Sequence, residues 1–262
     1  MASVVTRINE IKQPRGGYIK PSQFEEIVIN DNLTLQEENI HPSLVGLVVD
    51  YLTRLVMGAK VEDAFKIPML GYRNRAWVIG TQKDRQDKVD IHSLCEKIEG
   101  LDDESIISAC KACSYDIWYR NPMAAPLAKK ANEINPDSNT IQNVRIMVNR
   151  SQKFWEEYGP VLVSGFTFEK NGYTKKVNSG DGDYLTRDTM WDFKVSKRKL
   201  TNKHTLQLLM YWIMGKHSEK AEFKDINKLG VFNPRLNLVW LLNVTDIPKE
   251  LIEKVEKEVI CY

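Results

Sequence analysis

The sequence predicts an α/β fold in which helices pack against a sheet, and three observations carry that expectation. Residues 161–196 break into short runs of β-forming residues separated by turn signals. Segments with apolar residues at helical spacing precede them, most clearly His41 to Gly58 and Asn139 to Tyr158. A further helix, His204 to Gly215, and two more strands, Lys228 to Asn233 and Leu238 to Val244, follow. With 262 residues, 42% hydrophobic and 27% charged, the chain suits one large domain or a core carrying a helical insertion. Its 37 Lys and Arg against 35 Asp and Glu leave a net charge of only +2, so any basic surface must be local. No signal peptide and no bilayer-spanning apolar run is visible, which points to a cytoplasmic protein with no membrane partner.

Taken in order, residues 1–40 are polar and interrupted by Pro14, Gly16, Gly17 and Pro21. They read as a loosely attached N-terminal arm, with Gln23 to Asn30 a short strand or helical turn. Residues 41–262 read as the main domain. In its first helix, Pro42 and Ser43 suit the start and Gly58 the end. Asp50 and Arg54, at i and i+4, suit a core ion pair; alternatively Asp50 or His41 lines a cleft. Glu62 to Phe65 suggests a helical turn, and Gly71 to Gly80 is mixed. Arg73, Arg75 and Lys83 form a basic stretch, suited to phosphate or to a solvated surface. Asp90 to Ile98 and Glu104 to Tyr119 read as helices. Residues 60–137 together read as the helical insertion. The helix from Asn139 stops at Gly159-Pro160. Glu156 and Glu157 fall in its last turn, where an acid is electrostatically unfavourable. Val161 to Glu169 reads as a strand, Asn171-Gly172 as a hairpin turn and Tyr173 to Val177 as the returning strand.

The most informative stretch is Ser179 to Lys199. Its second run alternates: Trp191, Phe193 and Val195 point one way, Asp192, Lys194 and Ser196 the other. With a two-residue loop at Arg187-Asp188, Asp183 stands opposite Asp192, and Asp181 opposite Lys194. Residues so placed have Cβ atoms roughly 4.5–5.5 Å apart, and two carboxylates at that separation repel unless a proton or cation lies between them. A hard divalent cation such as Mg²⁺ takes oxygen ligands and fits the gap. The polar face of the strand therefore belongs to a cleft, which Lys194 also reaches. Gln207 and Tyr211, at i and i+4, share one face of the next helix, while Leu206, Leu209, Met210 and Ile213 should bury.

In sequence order, Gly180-Asp181-Gly182-Asp183, Asp192-Phe193-Lys194 and Gln207-Leu208-Leu209-Met210-Tyr211 resemble the PD-(D/E)XK nuclease superfamily. The similar branch is RecB-like, with its G-x-x-D, D-x-K and Q-x-x-x-Y, and the resemblance covers residues 155–245. It implies a restriction-endonuclease-like core, a central mixed β-sheet flanked by helices. It also implies a metal-dependent DNA nuclease hydrolysing phosphodiester bonds, in DNA repair or recombination or in phage-related defence or counter-defence. On that resemblance, Asp183 and Asp192, with the main-chain carbonyl of Phe193, hold Mg²⁺ or Mn²⁺. Lys194 orients or deprotonates the attacking water, and Gln207 and Tyr211 shape the site and contact substrate. A helix-borne acid before the first core strand belongs to the same metal set. Glu156, in preference to Glu157, falls at that place; two exposed glutamates is the alternative. Lys197, Arg198, Lys199 and Lys203 follow the D-x-K strand and either hold the nucleic-acid backbone or form a solvated linker. Some relatives carry a four-cysteine iron–sulfur cluster or work beside a helicase. Of Cys95, Cys110, Cys113 and Cys261 only the last follows the core, so a cluster is not expected. DNA is the expected partner, with room for a protein partner or helicase.

Other chemistries lack their motifs. There is no G-x-x-x-x-G-K-[ST] phosphate loop, no zinc spacing among His41, His92, His204 and His217, and no G-x-S-x-G elbow. One reading from a different class stays open: a catalytically weak or inactive nuclease fold that binds nucleic acid or a protein as a subunit. The intact Asp183, Asp192 and Lys194 favour the enzyme, because a pure binder gains nothing from a lysine beside paired acids.

Overall fold

The computed structural model describes residues 2–79 and 89–262; Lys83 of the basic stretch lies outside them. The chain forms two compact units, Met1–Asn30 with Phe154–Tyr262 (unit 1) and Asp31–Lys153 (unit 2). Unit 1 opens with β1 (Ala2–Ser3), α1 (Val4–Glu10) and β2 (Glu25–Val28). Unit 2 holds α2 (Pro42–Val56), α3 (Val61–Ala64), α4 (Lys66–Ile79), α5 (Ile91–Cys95), α6 (Asp103–Cys113) and α7 (Asp116–Arg120). It also holds most of α8 (Ser138–Tyr158), whose last turn belongs to unit 1. Unit 1 continues with β3 (Val163–Thr167), β4 (Val177–Ser179), β5 (Asp181–Leu185), β6 (Thr189–Phe193) and α9 (Asn202–His217). It closes with β7 (Lys228–Asn233), β8 (Leu238–Asn243) and α10 (Lys249–Lys254), which runs on as π-helical turns over Val255–Ile260. Among the described residues no helix is long and apolar enough to cross a membrane.

The main sheet of unit 1 is mixed and six-stranded, in the order β2-β8-β7-β6-β5-β3. Strands β6 and β7 are parallel and the other neighbours antiparallel. A parallel pair needs a crossover, and α9 is that crossover. Side-chain alternation sorts the sheet into two apolar layers. Leu185, Met190, Val231 and Trp240 join α1, α9 and the C-terminal helix in the first. Tyr184, Trp191, Phe232 and Val239 join Phe154 and Trp155 of α8 in the second. There Phe154 stacks on Phe232 with ring centroids 4.0 Å apart and meets Trp191 edge-on at 4.9 Å. Helices therefore flank both faces of the sheet.

The structure places residues 2–28, expected as a loose arm, inside unit 1. Val4, Ile8 and Phe24 are buried in the first apolar layer, and β2 pairs with β8 from Glu25↔Leu241 to Val28↔Leu238. A sparse apolar set does this, and its spacing carries no strong period. The turn at Lys170 and Asn171 forms, both with positive φ. It does not make the expected hairpin: β3 pairs with β5, and β4 pairs with β1.

In unit 2, His41 caps α2 and Asp50 binds Arg54 at 3.0 Å, the expected ion pair. Residues 60–137 lie within this unit. Gly71 sits inside α4, where a Cβ would fall 1.9 Å from the carbonyl oxygen of Tyr115. The stretch from Gly71, which reads as mixed in sequence, is helical to Ile79, and the glycine permits a close approach of helix to chain. Residues 104–119 form two helices, not one. Ser114 Oγ donates to the Lys111 carbonyl at 2.7 Å where α6 ends, and α7 then starts at the buried Asp116. Of the basic stretch, Arg73 is exposed, while Arg75 is buried with its guanidinium over the Tyr115 ring.

Candidate active site

The β5–β6 hairpin sets the site. Tyr184 pairs with Trp191 and Leu185 with Met190. The Thr186 N–H donates to the Thr189 carbonyl at 3.0 Å across the two-residue loop Arg187-Asp188. The pairing ends there; one step further the same register sets Asp183 against Asp192, as the sequence alternation predicts, while Lys194 lies beyond β6 and Asp181 pairs with Thr167 of β3. Towards the open end the Phe193 N–H donates to Asp183 Oδ2 at 2.7 Å, so a carboxylate bridges the strands. On its other side β6 stays on β7, with Asp192↔Val231 and Phe193↔Phe232 in register. The Lys194 N–H donates to the Phe232 carbonyl at 2.9 Å, which fixes the backbone of the D-x-K tripeptide.

Asp192 lies two residues from Met190 and so points into the first apolar layer, towards α9. It is 4% exposed. Its Oδ1 accepts from Lys194 Nζ at 2.9 Å, while Oδ2 is buried without a hydrogen-bond partner. A buried acceptor left unsatisfied costs roughly 1–3 kcal/mol, and more when charged. Lys194 Nζ also reaches Gln207 Oε1 at 3.5 Å, and Gln207 Nε2 donates to the Tyr211 hydroxyl at 3.0 Å. A polar chain thus runs Asp192–Lys194–Gln207–Tyr211 from strand to helix. Burial works against the Lys194 charge, but Asp192, Asp183 and Asp181 outweigh it and hold the ammonium above the ordinary lysine pKa. Burial likewise raises the Tyr211 phenol, with the same three acids adding to it against an opposing bond from Gln207. Three carboxylates around one ammonium leave the group acidic, an environment that attracts a further cation. Leu206, Leu209, Met210 and Ile213 bury beneath, as their spacing predicts.

Glu156 is not brought to this group. It and Glu157 are exposed on the last turn of α8, whose Phe154 and Trp155 pack on the opposite face of the sheet from Asp192. Lys197, Arg198, Lys199 and Lys203 are exposed between β6 and the first turn of α9. Lys199 pairs with Glu26 at 2.6 Å and Lys203 donates to Asn9 Oδ1 at 2.7 Å. His41 and Asp50 lie in unit 2, as do the buried thiols of Cys95, Cys110 and Cys113; Cys261 lies in unit 1. Burial pushes the Cys110 thiol up to about 12.

One site residue escapes the sequence patterns. His204 stands at the third position of α9 and its Nδ1 accepts the Thr201 N–H at 3.3 Å. It shares a helix face with Gln207 and Tyr211, at i, i+3 and i+7. Burial, and then the Lys194 charge, lower its pKa, while Asp192 acts in the other direction. The T-x-x-H start of the helix was the available signal.

Hard oxygen donors suit Mg²⁺ or Mn²⁺, and the cluster holds two carboxylates, Asp192 with its partnerless Oδ2 and Asp183. Among the described residues no group of three or more His, Cys, Asp or Glu is placed to hold a metal ion. Mg²⁺ sites often rest on one or two carboxylates, with water and phosphate oxygens filling the remaining positions. No family model, no curated protein and no solved structure matches this chain.

Proposed function

We propose that the chain is a metal-dependent deoxyribonuclease of the PD-(D/E)XK superfamily, RecB-like, on a restriction-endonuclease-like core. The observation that carries this reading is Asp192: buried, ion-paired to Lys194 through one oxygen and partnerless at the other. Asp192, Asp183 and the Phe193 carbonyl would hold Mg²⁺ or Mn²⁺. When bound, such an ion lowers the pKa of a water and offsets charge on phosphate oxygens. Lys194, kept protonated by its acids, orients the water and neutralises charge growing on the phosphorus. Gln207 holds the Lys194 head in place, and the protonated Tyr211 supports Gln207. Lys197, Arg198, Lys199 and Lys203 line the chain leaving β6 and supply phosphate contacts along the DNA backbone. On the same resemblance, the proposed role is in DNA repair or recombination, or in phage-related defence or counter-defence.

One observation favours a second reading. With Glu156 on the far face, no third acid joins the set among the described residues, which suits a weak or inactive subunit that binds nucleic acid or a partner protein. Incubating the chain with linear, circular and single-stranded DNA, and with RNA, in Mg²⁺ or Mn²⁺ separates the two. The nuclease cleaves DNA and Asp192→Ala does not. No cleavage by wild type, or equal cleavage by the variant, ends the enzyme reading; a gel shift with the same DNA then tests the binding one.

A further inference from the structure

The His204 ring has no part in the metal set or the D-x-K motif, yet its hydrogen bonding is specified. Its Nδ1 accepts the Thr201 N–H, and a main-chain N–H can only donate. Nδ1 therefore carries no proton, and the neutral ring bears its proton on Nε2. Burial and the neighbouring Lys194 ammonium favour that uncharged ring. The ring lies on the helix face that carries Gln207 and Tyr211, and Gln207 on that face meets the Lys194 ammonium. A protonated Nε2 has no lone pair for a metal, but it suits an anionic oxygen.

We infer that His204 contacts substrate, its Nε2–H donating to a non-bridging oxygen of the DNA phosphate that Lys194 also meets. This rests on the nuclease reading for the identity of the ligand. A purely structural histidine would cap the helix and do nothing more. His204→Gln separates the roles, because Gln at the third position of a Thr-x-x-Gln box still accepts the Thr201 N–H.

The expected result is an unchanged melting temperature with kcat/KM on DNA lowered roughly ten- to hundredfold, the range for one hydrogen bond to a charged group. In wild type, the ¹⁵N spectrum of the His204 ring shows the Nε2–H tautomer, and the Nε2 signal moves when a non-cleavable phosphorothioate oligonucleotide is added. Wild type that cleaves, with a Gln variant that cleaves equally, overturns the His204 contact and leaves the nuclease intact. Wild type that binds the oligonucleotide without cleaving it, with a moving Nε2 signal, supports the contact and ends only the enzyme reading. A protein that neither binds nor cleaves overturns both.

Discussion

Two buried carboxylates, one in each unit, share a burial depth and differ in what satisfies them. Asp116 in unit 2 is 2% exposed and Asp192 in unit 1 is 4% exposed. Each accepts from one cation at 2.9 Å, Arg120 in the first case and Lys194 in the second. Asp116 takes the Tyr51 hydroxyl on its other oxygen. The other oxygen of Asp192 has no partner. One acid is a closed joint between helices; the other keeps an unfilled acceptor beside two more acids. Depth does not distinguish them, and unfilled hydrogen-bonding capacity does.

That contrast can be broken by experiment. The largest effect expected is on catalysis. Asp192→Asn should lower DNA cleavage by about a thousandfold or more, the scale of several kcal/mol at 1.36 kcal/mol per tenfold. Its melting temperature should fall only modestly, since Asp183 and Asp181 still face the Lys194 ammonium that loses its pair. Asp116→Ala should do the reverse, sparing cleavage and losing about 1–3 kcal/mol in urea unfolding as the buried Tyr51 hydroxyl loses its acceptor. An Asp116 variant as stable as wild type would erase the distinction.

Metal sharpens it next. Adding Mg²⁺ at a hundred times its Kd should stabilise the wild-type chain by about 2.7 kcal/mol in a thermal melt, and leave Asp192→Asn unmoved. The smallest effect is on pH dependence within unit 2. Burial above all raises the Asp116 pKa, so the folded state binds that proton more tightly than the unfolded chain. Its contribution is fully present below about pH 3.9 and is lost as pH rises through the folded value. Asp31, bonded by Arg150, is lowered, so its contribution appears above about pH 3.9 and is lost as pH falls. Urea midpoints across that range should flatten in opposite directions for Asp116→Asn and Asp31→Asn.

Much of the candidate site was legible because its geometry is local. Alternation in Met190 to Ser196 and a two-residue loop sufficed to place Asp183 opposite Asp192, and the pairing of Tyr184 with Trp191 agrees. The span of α9 and its buried residues followed from spacing alone. What was hidden depends on distant partners. The Asn171-Gly172 turn predicts a local hairpin, but β3 is claimed by β5, and no short-range pattern encodes that. The stretch from Gly71 reads as mixed because the reason for its glycine, the Tyr115 carbonyl, lies far along the chain. Glu156 was placed by chain order, which cannot tell one face of a sheet from the other.

The carboxylate that ties Asp183 to the Phe193 amide makes that amide a reporter. Its neighbour, the Lys194 amide, is held by strand β7 through Phe232. In deuterated solvent the two should exchange by separate routes. Asp183→Ala frees the first proton and spares the second, while loosening the sheet releases both. Two adjacent rates thus distinguish damage to the acid from damage to the scaffold.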